Sequence, residues 1–234
     1  MQSSQMHYLP LAPEFFAILA GIFLIVVVLI QIRVLRFAYM SLGVSSSTAL
    51  LLLLGSLLGS YVNIPVAQFP ERVVQTGEQV NFFGMRYVVP VVEQWPGTVI
   101  AVNVGGAVIP TVLSIYLLFH HQLWARGLIA TAIVAAVIHW LAYPVHGVGI
   151  AVPIFVPPVV TAIVAVLIAH QHAAALAYIS GSMGTLIGAD LLNLGAVQGL
   201  GAPVASIGGA GTFDGIFLTG ILAVLLASFS RRAA

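Results

Sequence analysis

The chain has 234 residues, of which 61% are hydrophobic and 6% are charged, and its formal net charge is +1. Soluble domains carry about 25% charged residues, so this composition excludes a soluble globular fold and indicates a protein embedded in the lipid bilayer. The chain has no basic patch, cysteine or lysine, so nucleic-acid partners, disulfides and Schiff-base chemistry are not expected.

Seven apolar runs predict about seven transmembrane helices, because a helix needs roughly 20 residues to cross the hydrocarbon core. The runs are 15–35, 48–62, 98–119, 127–143, 159–169, 173–194 and 212–230. We therefore expect an all-α polytopic membrane protein that forms one integral membrane domain over residues 1–234. The sequence leaves its oligomeric state open.

Three stretches contain too much glycine or proline for a regular helix. Residues 102–110 hold glycines and a proline, which predicts that the third helix is kinked or unwound at its start. Residues 144–158 contain four prolines and two glycines, so we expect a re-entrant or surface-lying segment. Residues 196–212 are rich in glycine and alanine, and they either re-enter the membrane or form a loop.

The interrupted stretches also give a hint of an internal repeat. The segments VNVGGA (102–107) and ASIGGA (205–210) match at four of six positions when one conservative pair is counted. Secondary transporters are often built from such repeats, with broken helices at equivalent positions.

Residues 67–96 differ in composition from the rest of the chain, since they hold three of the four glutamates. Runs rich in β-branched and aromatic residues, Val73–Thr76 and Val80–Val89, lie around Thr76-Gly77-Glu78. This pattern predicts a small extracytoplasmic β-hairpin that lies on the membrane surface.

The arginines predict the orientation. With seven spans, Arg33, Arg36, Arg126, Arg231 and Arg232 all fall on one side of the membrane. The positive-inside rule then places the C-terminus in the cytoplasm and the N-terminus outside.

Asp190 and Asp214 are the only aspartates in the chain, and each lies in apolar sequence. A carboxylate at bilayer depth costs roughly 2.5–3.5 kcal/mol even on the lenient insertion scale, which makes both residues functional candidates. The sixth helix runs outward and the seventh runs back, so the two carboxylates could face each other in the outer part of the membrane. We predict them as a catalytic pair, with substrate contacted by Asn103, Asn193, Gly105, Gly106, Gly208, Gly209 and Gly211.

Three readings of the aspartates remain open from the sequence. An intramembrane aspartyl protease would use one carboxylate to activate water and the other to protonate a transmembrane protein substrate. Alternatively, the aspartates and broken helices line the path of an ion- or proton-coupled transporter or channel for a small ion. In the third reading Asp190 is a structural tie to Asn103 or to the glycine-rich backbone, and Asp214 caps the seventh helix.

Metal and cofactor sites are not expected. The seven histidines lack the HExxH motif and paired ligand spacing, although His139 and His146 with Asp190 leave one outer metal site conceivable. No predicted strand precedes a phosphate loop or a dinucleotide fingerprint, so no cofactor is predicted.

Three motifs carry a resemblance to a known family: GTLIGADLLNL (184–194), APVASIGGAGTFDGIFLTGILAVLL (202–226) and AVNVGGAVIP (101–110). On these motifs the chain resembles DUF1614, a family of bacterial and archaeal membrane proteins, over nearly its whole length. The resemblance implies an integral protein of a prokaryotic cell (inner) membrane. It implies no particular activity.

The chain is also loosely similar to the GxGD intramembrane aspartyl proteases of the presenilin, signal peptide peptidase and prepilin peptidase types. Those enzymes place one aspartate on each of two successive helices, as Asp190 and Asp214 are placed here. The GxGD motif itself is absent, because Thr212 and Phe213 separate Gly211 from Asp214.

Overall fold

The computed structural model describes residues 13–70, 72–82, 85–95, 97–145, 149–197, 203–209 and 215–230. The described chain is mostly helical. Its helices are α1 (Pro13–Met40), α2 (Ser46–Gly59), α3 (Ile109–His121), α4 (Trp124–Leu141), α5 (Val156–Ile168), α6 (Ala173–Thr185), α7 (Leu194–Val197) and α8 (Gly215–Ser230). Two segments are π-helical, Val104–Val108 and Leu186–Asp190, and two are short 3-10 turns, His170–His172 and Leu191–Asn193.

Three helical stretches in the described ranges are long and apolar enough to cross a membrane: Val104–His121, Trp124–Leu141 and His170–Val197. The helices α2, α5 and α8 are apolar but shorter. Large hydrophobic side chains are exposed on the outside of the bundle, among them Leu128 at 74% and Leu167 at 79%. Such a surface would be costly in water and is compatible with lipid, so the chain is a membrane protein.

Short strands accompany the helices. They are β1 (Asn63–Gln68), β2 (Arg72–Phe82), β3 (Met85–Trp95), β4 (Val99–Asn103), β5 (Tyr143–Val145), β6 (Gly149–Ala151) and β7 (Val204–Ile207). The predicted strand pairing is confirmed, because β2 and β3 form an antiparallel hairpin. Its place on the outer surface of the membrane stays a prediction. The turn suggested around Gly77 is wrong, because Gly77 lies within β2 and pairs with Pro90, and the pairing continues to Phe82 and Met85.

A three-stranded sheet corrects the all-α expectation. Its order is β1-β4-β7, with β4 antiparallel to β1 and parallel to β7. The predicted third helix therefore starts as a strand, and α3 begins only at Ile109. The cause is local, because the β-branched residues of Val99–Val102 favour a strand and the following glycines disfavour a helix.

The two halves of the suggested repeat are neighbours in this sheet. Strands β4 and β7 lie side by side, and a glycine pair follows each of them. In the sheet Val102 pairs with Ile207, whereas the sequence match aligns Val104 with Ile207. The spatial pairing is thus shifted by two residues from the sequence match, which keeps the same strand faces together.

The proline-rich segment is not a regular helix, as predicted. Strands β5 and β6 form a small antiparallel hairpin, and α5 begins at Val156 rather than at Val159. Pro157 and Pro158 lie in the first turn of α5, where the missing N–H groups would have no helical partner. Re-entry of this segment into the membrane stays a prediction.

Helix α6 is the centre of the bundle. Every residue of α6 except Met183 is buried, and the helix packs against α3, α4, α5 and α8. Its small residues allow close approach: a Cβ atom added to Gly184 would lie 2.6 Å from the Val134 Cγ1 of α4. Close packing of this kind drives helix association in lipid, where the hydrophobic effect does not.

The contact of Gly188 with α4 gives a test of this packing. A Cβ atom on Gly188 would lie 2.4 Å from the Ala135 carbonyl oxygen, whereas one on Gly195 would meet nothing within 4 Å. We expect Gly188→Ala to destabilise the protein by about 1–3 kcal/mol, because overpacking forces the backbones apart. Gly195→Ala should be neutral or slightly stabilising. Thermal unfolding in detergent checks this, and equal midpoints for the two variants would contradict it.

Candidate functional site

Asp190 is the last residue of the π-helical segment that follows α6, and its side chain is half-buried. Its Oδ2 atom accepts a hydrogen bond of 2.7 Å from the backbone N–H of Gly208. This bond therefore ties the end of α6 to the glycine-rich segment, in agreement with the structural reading of Asp190.

Two glycine pairs meet beside Asp190, Gly105-Gly106 after β4 and Gly208-Gly209 after β7. A Cβ atom on Gly106 would lie 1.8 Å from the Gly208 carbonyl oxygen, and one on Gly208 would lie 2.6 Å from the Ala107 nitrogen. Gly208 and Gly209 also have positive φ angles of 95° and 80°. Any residue with a Cβ atom would strain the backbone at these positions or push the two turns apart. The close contact and the positive φ angles therefore require glycine.

Asn103 is 1% exposed and binds three parts of the fold at once. Its Nδ2 atom donates to the Ser60 carbonyl oxygen at 2.8 Å and to Asn63 Oδ1 at 3.1 Å. Its Oδ1 atom accepts from the Gly106 N–H at 2.8 Å. The side chain predicted to contact substrate is thus a buried link between the end of α2, β1 and the first glycine pair.

Asn193 lies on the 3-10 turn that follows Asp190. Its Nδ2 atom donates to the carbonyl oxygens of Gly188 at 2.8 Å and Ala189 at 3.0 Å. The same atom lies 3.2 Å from Nδ1 of His139, an exposed residue in the last turn of α4. Asn193 is therefore close to Asp190 in the chain, but its donors are directed at the backbone and at α4.

Sequence reasoning missed several hydroxyl groups that support these turns. Ser56 donates to the Gly105 carbonyl oxygen at 2.7 Å, and Ser60 donates to the Ser56 carbonyl oxygen at 2.6 Å. The Ser206 hydroxyl lies 2.7 Å from Asn63 Oδ1. A signal was present in α2, because the two serines are four residues apart and thus share one helix face.

Asp190 lines a cavity of about 230 Å³ between β6, the start of α5, the end of α6 and the start of α8. The wall is mainly apolar, with Thr185 and Thr219 as its hydroxyl-bearing residues. Its other lining residues are Ile150, Val152, Pro153, Ile154, Pro157, Ala189, Gly215, Ile216 and Leu218. Within the described ranges, no group of three or more His, Cys, Asp or Glu side chains could hold a metal ion.

The second predicted carboxylate, Asp214, and the predicted substrate contact Gly211 lie outside the described residues. The predicted pairing of Asp190 with Asp214 therefore stays a prediction. In the sequence, Asp214 directly precedes Gly215, which lines the Asp190 cavity.

Comparison with known families covers most of the chain. The family model described as "Protein of unknown function (DUF1614)" matches residues 57–226. The chain belongs to the DUF1614 family. The match takes in both glycine pairs, Asp190 and the whole cavity wall, so the site described above is part of the DUF1614 region. No curated protein and no solved structure matches the chain.

The hydrogen bonds of Asn103 predict how its substitution changes the stability of this DUF1614 protein. Asn103→Leu keeps the volume but leaves the Ser60 carbonyl and the Gly106 N–H without their partner. We expect a loss of at least about 2 kcal/mol, because each unsatisfied buried group costs about 1–3 kcal/mol. The control Gln171→Leu removes an exposed carboxamide and should change stability by less than about 0.5 kcal/mol. Chemical unfolding in mild detergent measures both, and a near-native stability of Asn103→Leu would refute the assignment.

Proposed function

We propose that this protein is an intramembrane aspartyl protease that uses Asp190 and Asp214 to cleave transmembrane protein segments. The observation that carries the proposal is the Asp190 cavity, which is lined by one aspartate and by the residue that follows the other. With Asp214 at the same mainly apolar cavity, the two carboxyl groups would meet the requirement of aspartyl chemistry for one ionised and one protonated group.

The proposed reaction is the addition of water to a peptide carbonyl. One carboxylate takes a proton from the water as its oxygen attacks the carbonyl carbon. The second aspartate, which is protonated, donates its proton to the amide nitrogen as the C–N bond breaks. A carboxylic acid and an amine leave, and the two aspartates have exchanged protonation states. No cofactor takes part.

The open edge of β7 supports a binding mode for the substrate. The N–H of Val99 in β4 donates to the Pro203 carbonyl oxygen, directly before β7, at 3.0 Å. The backbone N–H and C=O groups of every second residue of β7 therefore point towards β4. The backbone groups of Val204 and the N–H of Ser206 then point to the opposite side, where the sheet of the described residues ends. An extended peptide can add to such an edge at about 4.8 Å from β7.

The same edge leads towards Asp190. Val102 pairs with Ile207, and the backbone groups of Ile207 point towards β4. The next residue, Gly208, points its N–H to the other side, where it donates to Asp190. A peptide paired with Val204 and Ser206 would therefore continue past the Asp190 carboxylate. The proposed substrate is a membrane segment that unwinds into an extended strand before cleavage.

The proposal includes seven membrane spans, α1 to α6 and α8, with the N-terminus outside and the C-terminus in the cytoplasm of a prokaryotic cell. The strands lie between α2 and α3, α4 and α5, and α6 and α8, whereas the alternate connections are short turns. This alternation supports an arrangement in which the strands lie at one face of the membrane and the short turns lie at the other. Arg33, Arg36 and Arg126 lie close to the turn face in sequence, as the positive-inside rule requires of a cytoplasmic face.

Substitution of the carboxylates tests the protease. Asp190→Asn and Asp214→Asn should each lower the cleavage of co-expressed single-span substrates by at least about 100-fold, because each removes an acid–base group. Glu93→Gln, which removes a carboxylate from β3, should leave cleavage unchanged. Immunoblots of the fragments and reactions of the purified protein with a transmembrane peptide measure this. Full cleavage by both aspartate variants would end the proposal.

A second candidate function is ion- or proton-coupled transport through the Asp190 cavity. The two π-helical segments and the strand–glycine–helix connections favour it, since transporters bind ions where helices are interrupted. Proteoliposomes with an imposed proton or sodium gradient distinguish the two functions. Flux that disappears in Asp190→Asn, together with no cleavage of any substrate, would replace the protease by the transporter.

A further inference from the structure

The helical geometry changes at Asp190. Helix α6 passes into the π-helical segment Leu186–Asp190 and then into the 3-10 turn Leu191–Asn193. A π-helical turn contains one residue more than the α-helical hydrogen-bond pattern allows, which leaves carbonyl groups to be satisfied by other donors. At membrane depth such carbonyl groups are satisfied by donors of the protein or by water in a cavity.

Asn193 supplies these donors. Its Nδ2 atom binds the carbonyl oxygens of Gly188 and Ala189, the two residues directly before Asp190. The backbone of this turn is also fixed from the other side, because a Cβ atom on Gly188 would lie 2.4 Å from the Ala135 carbonyl oxygen of α4. The backbone that carries the Asp190 carboxylate is thus held between the Asn193 carboxamide and α4.

His139 extends this arrangement along α4. It follows Ala135 by four residues, so both lie on the face of α4 that meets the π-helical turn. The His139 Nδ1 atom is 3.2 Å from the Asn193 Nδ2 atom, which can donate to it when Nδ1 carries no proton. The Asn193 carboxamide has two N–H hydrogens for three acceptors, which are the carbonyl oxygens of Gly188 and Ala189 and the Nδ1 atom of His139. The contact with His139 therefore limits the rotation of the carboxamide.

We propose that Asn193 and His139 are positioning residues that hold the Asp190 carboxylate against the Gly208 N–H and towards the cavity. The catalytic consequence rests on the proposed protease function, but the effect on the Asp190–Gly208 bond does not. The carboxamide of Asn193 orients Asp190 through the backbone and does not contact the substrate, which differs from the substrate contact that the sequence predicts.

Two pairs of variants separate the contributions. Asn193→Leu removes the donors at equal size, and Asn193→Gln keeps a donor on a longer side chain. His139→Leu removes the acceptor, whereas His139→Asn keeps an oxygen or nitrogen atom near the position of Nδ1. His139 is exposed, so its variants are expected to fold even where Asn193→Leu does not.

The first measurement is hydrogen exchange of the Gly208 amide in the full-length protein, with mass spectrometry or NMR. We expect Asn193→Leu to raise the exchange rate about tenfold and His139→Leu about threefold, because the opened bond exposes the amide. Asn193→Gln should recover part of the protection and His139→Asn most of it. Unchanged exchange in both leucine variants would overturn the proposal.

The second measurement is the kinetics of peptide cleavage. A positioning role predicts that His139→Leu and Asn193→Leu lower kcat about threefold and tenfold and change KM by less than about twofold. A rise in KM at constant kcat would show that Asn193 contacts substrate and would overturn the proposal. Asp190→Asn separates the test of the protease from the test of the positioning residues. Cleavage that survives this change refutes the protease function. The exchange of the Gly208 amide in the Asn193 and His139 variants still tests the positioning role.

Discussion

The direct contact between the backbones of Gly106 and Gly208 is the constraint on which the described fold depends. The space between these turns has no room for a side chain on Gly106, since a Cβ atom there would lie 1.8 Å from the Gly208 carbonyl oxygen. This contact brings the starts of two helical stretches together and lets β4 and β7 pair as parallel neighbours. The Asp190 carboxylate lies beside it and binds the Gly208 N–H, so the candidate site is built from the same contact.

The polar side chains around this contact follow from the rule that backbone groups in lipid must find partners in the protein. Asn103 binds the Gly106 N–H where the third helical stretch starts, and Asn193 binds two carbonyls where the sixth helical stretch is interrupted. Both carboxamides are well suited to this task, because each carries a donor group and an acceptor on one short side chain. Asp190 differs from them, because a carboxyl group can take up or release a proton and a carboxamide cannot. That difference is the reason for proposing acid–base chemistry at Asp190 and a supporting role for the two asparagines.

Part of the site could be recognised from the sequence because its signals are local. An aspartate in apolar sequence is costly at bilayer depth, and this drew attention to Asp190 without any knowledge of its contacts. The glycine pairs and the hairpin at 67–96 were likewise visible in short stretches. The partners of Asn103 and Asn193 were not visible, because Ser60 and His139 are 43 and 54 residues away along the chain. Their roles as supports of the backbone therefore differ from the substrate contacts that were predicted.

The sequence by itself determined a mostly helical membrane protein, the interruption of its helices by glycine and proline, and the place of Asp190. These follow from hydropathy and from backbone propensities, which act over a few residues. Only the tertiary structure decided that residues 99–103 form the central strand of a sheet, because a strand needs partners and those partners, β1 and β7, come from distant parts of the chain. It also decided that the Gly208 N–H faces Asp190, since this depends on how a parallel pair of strands is registered and cannot be read from either segment alone.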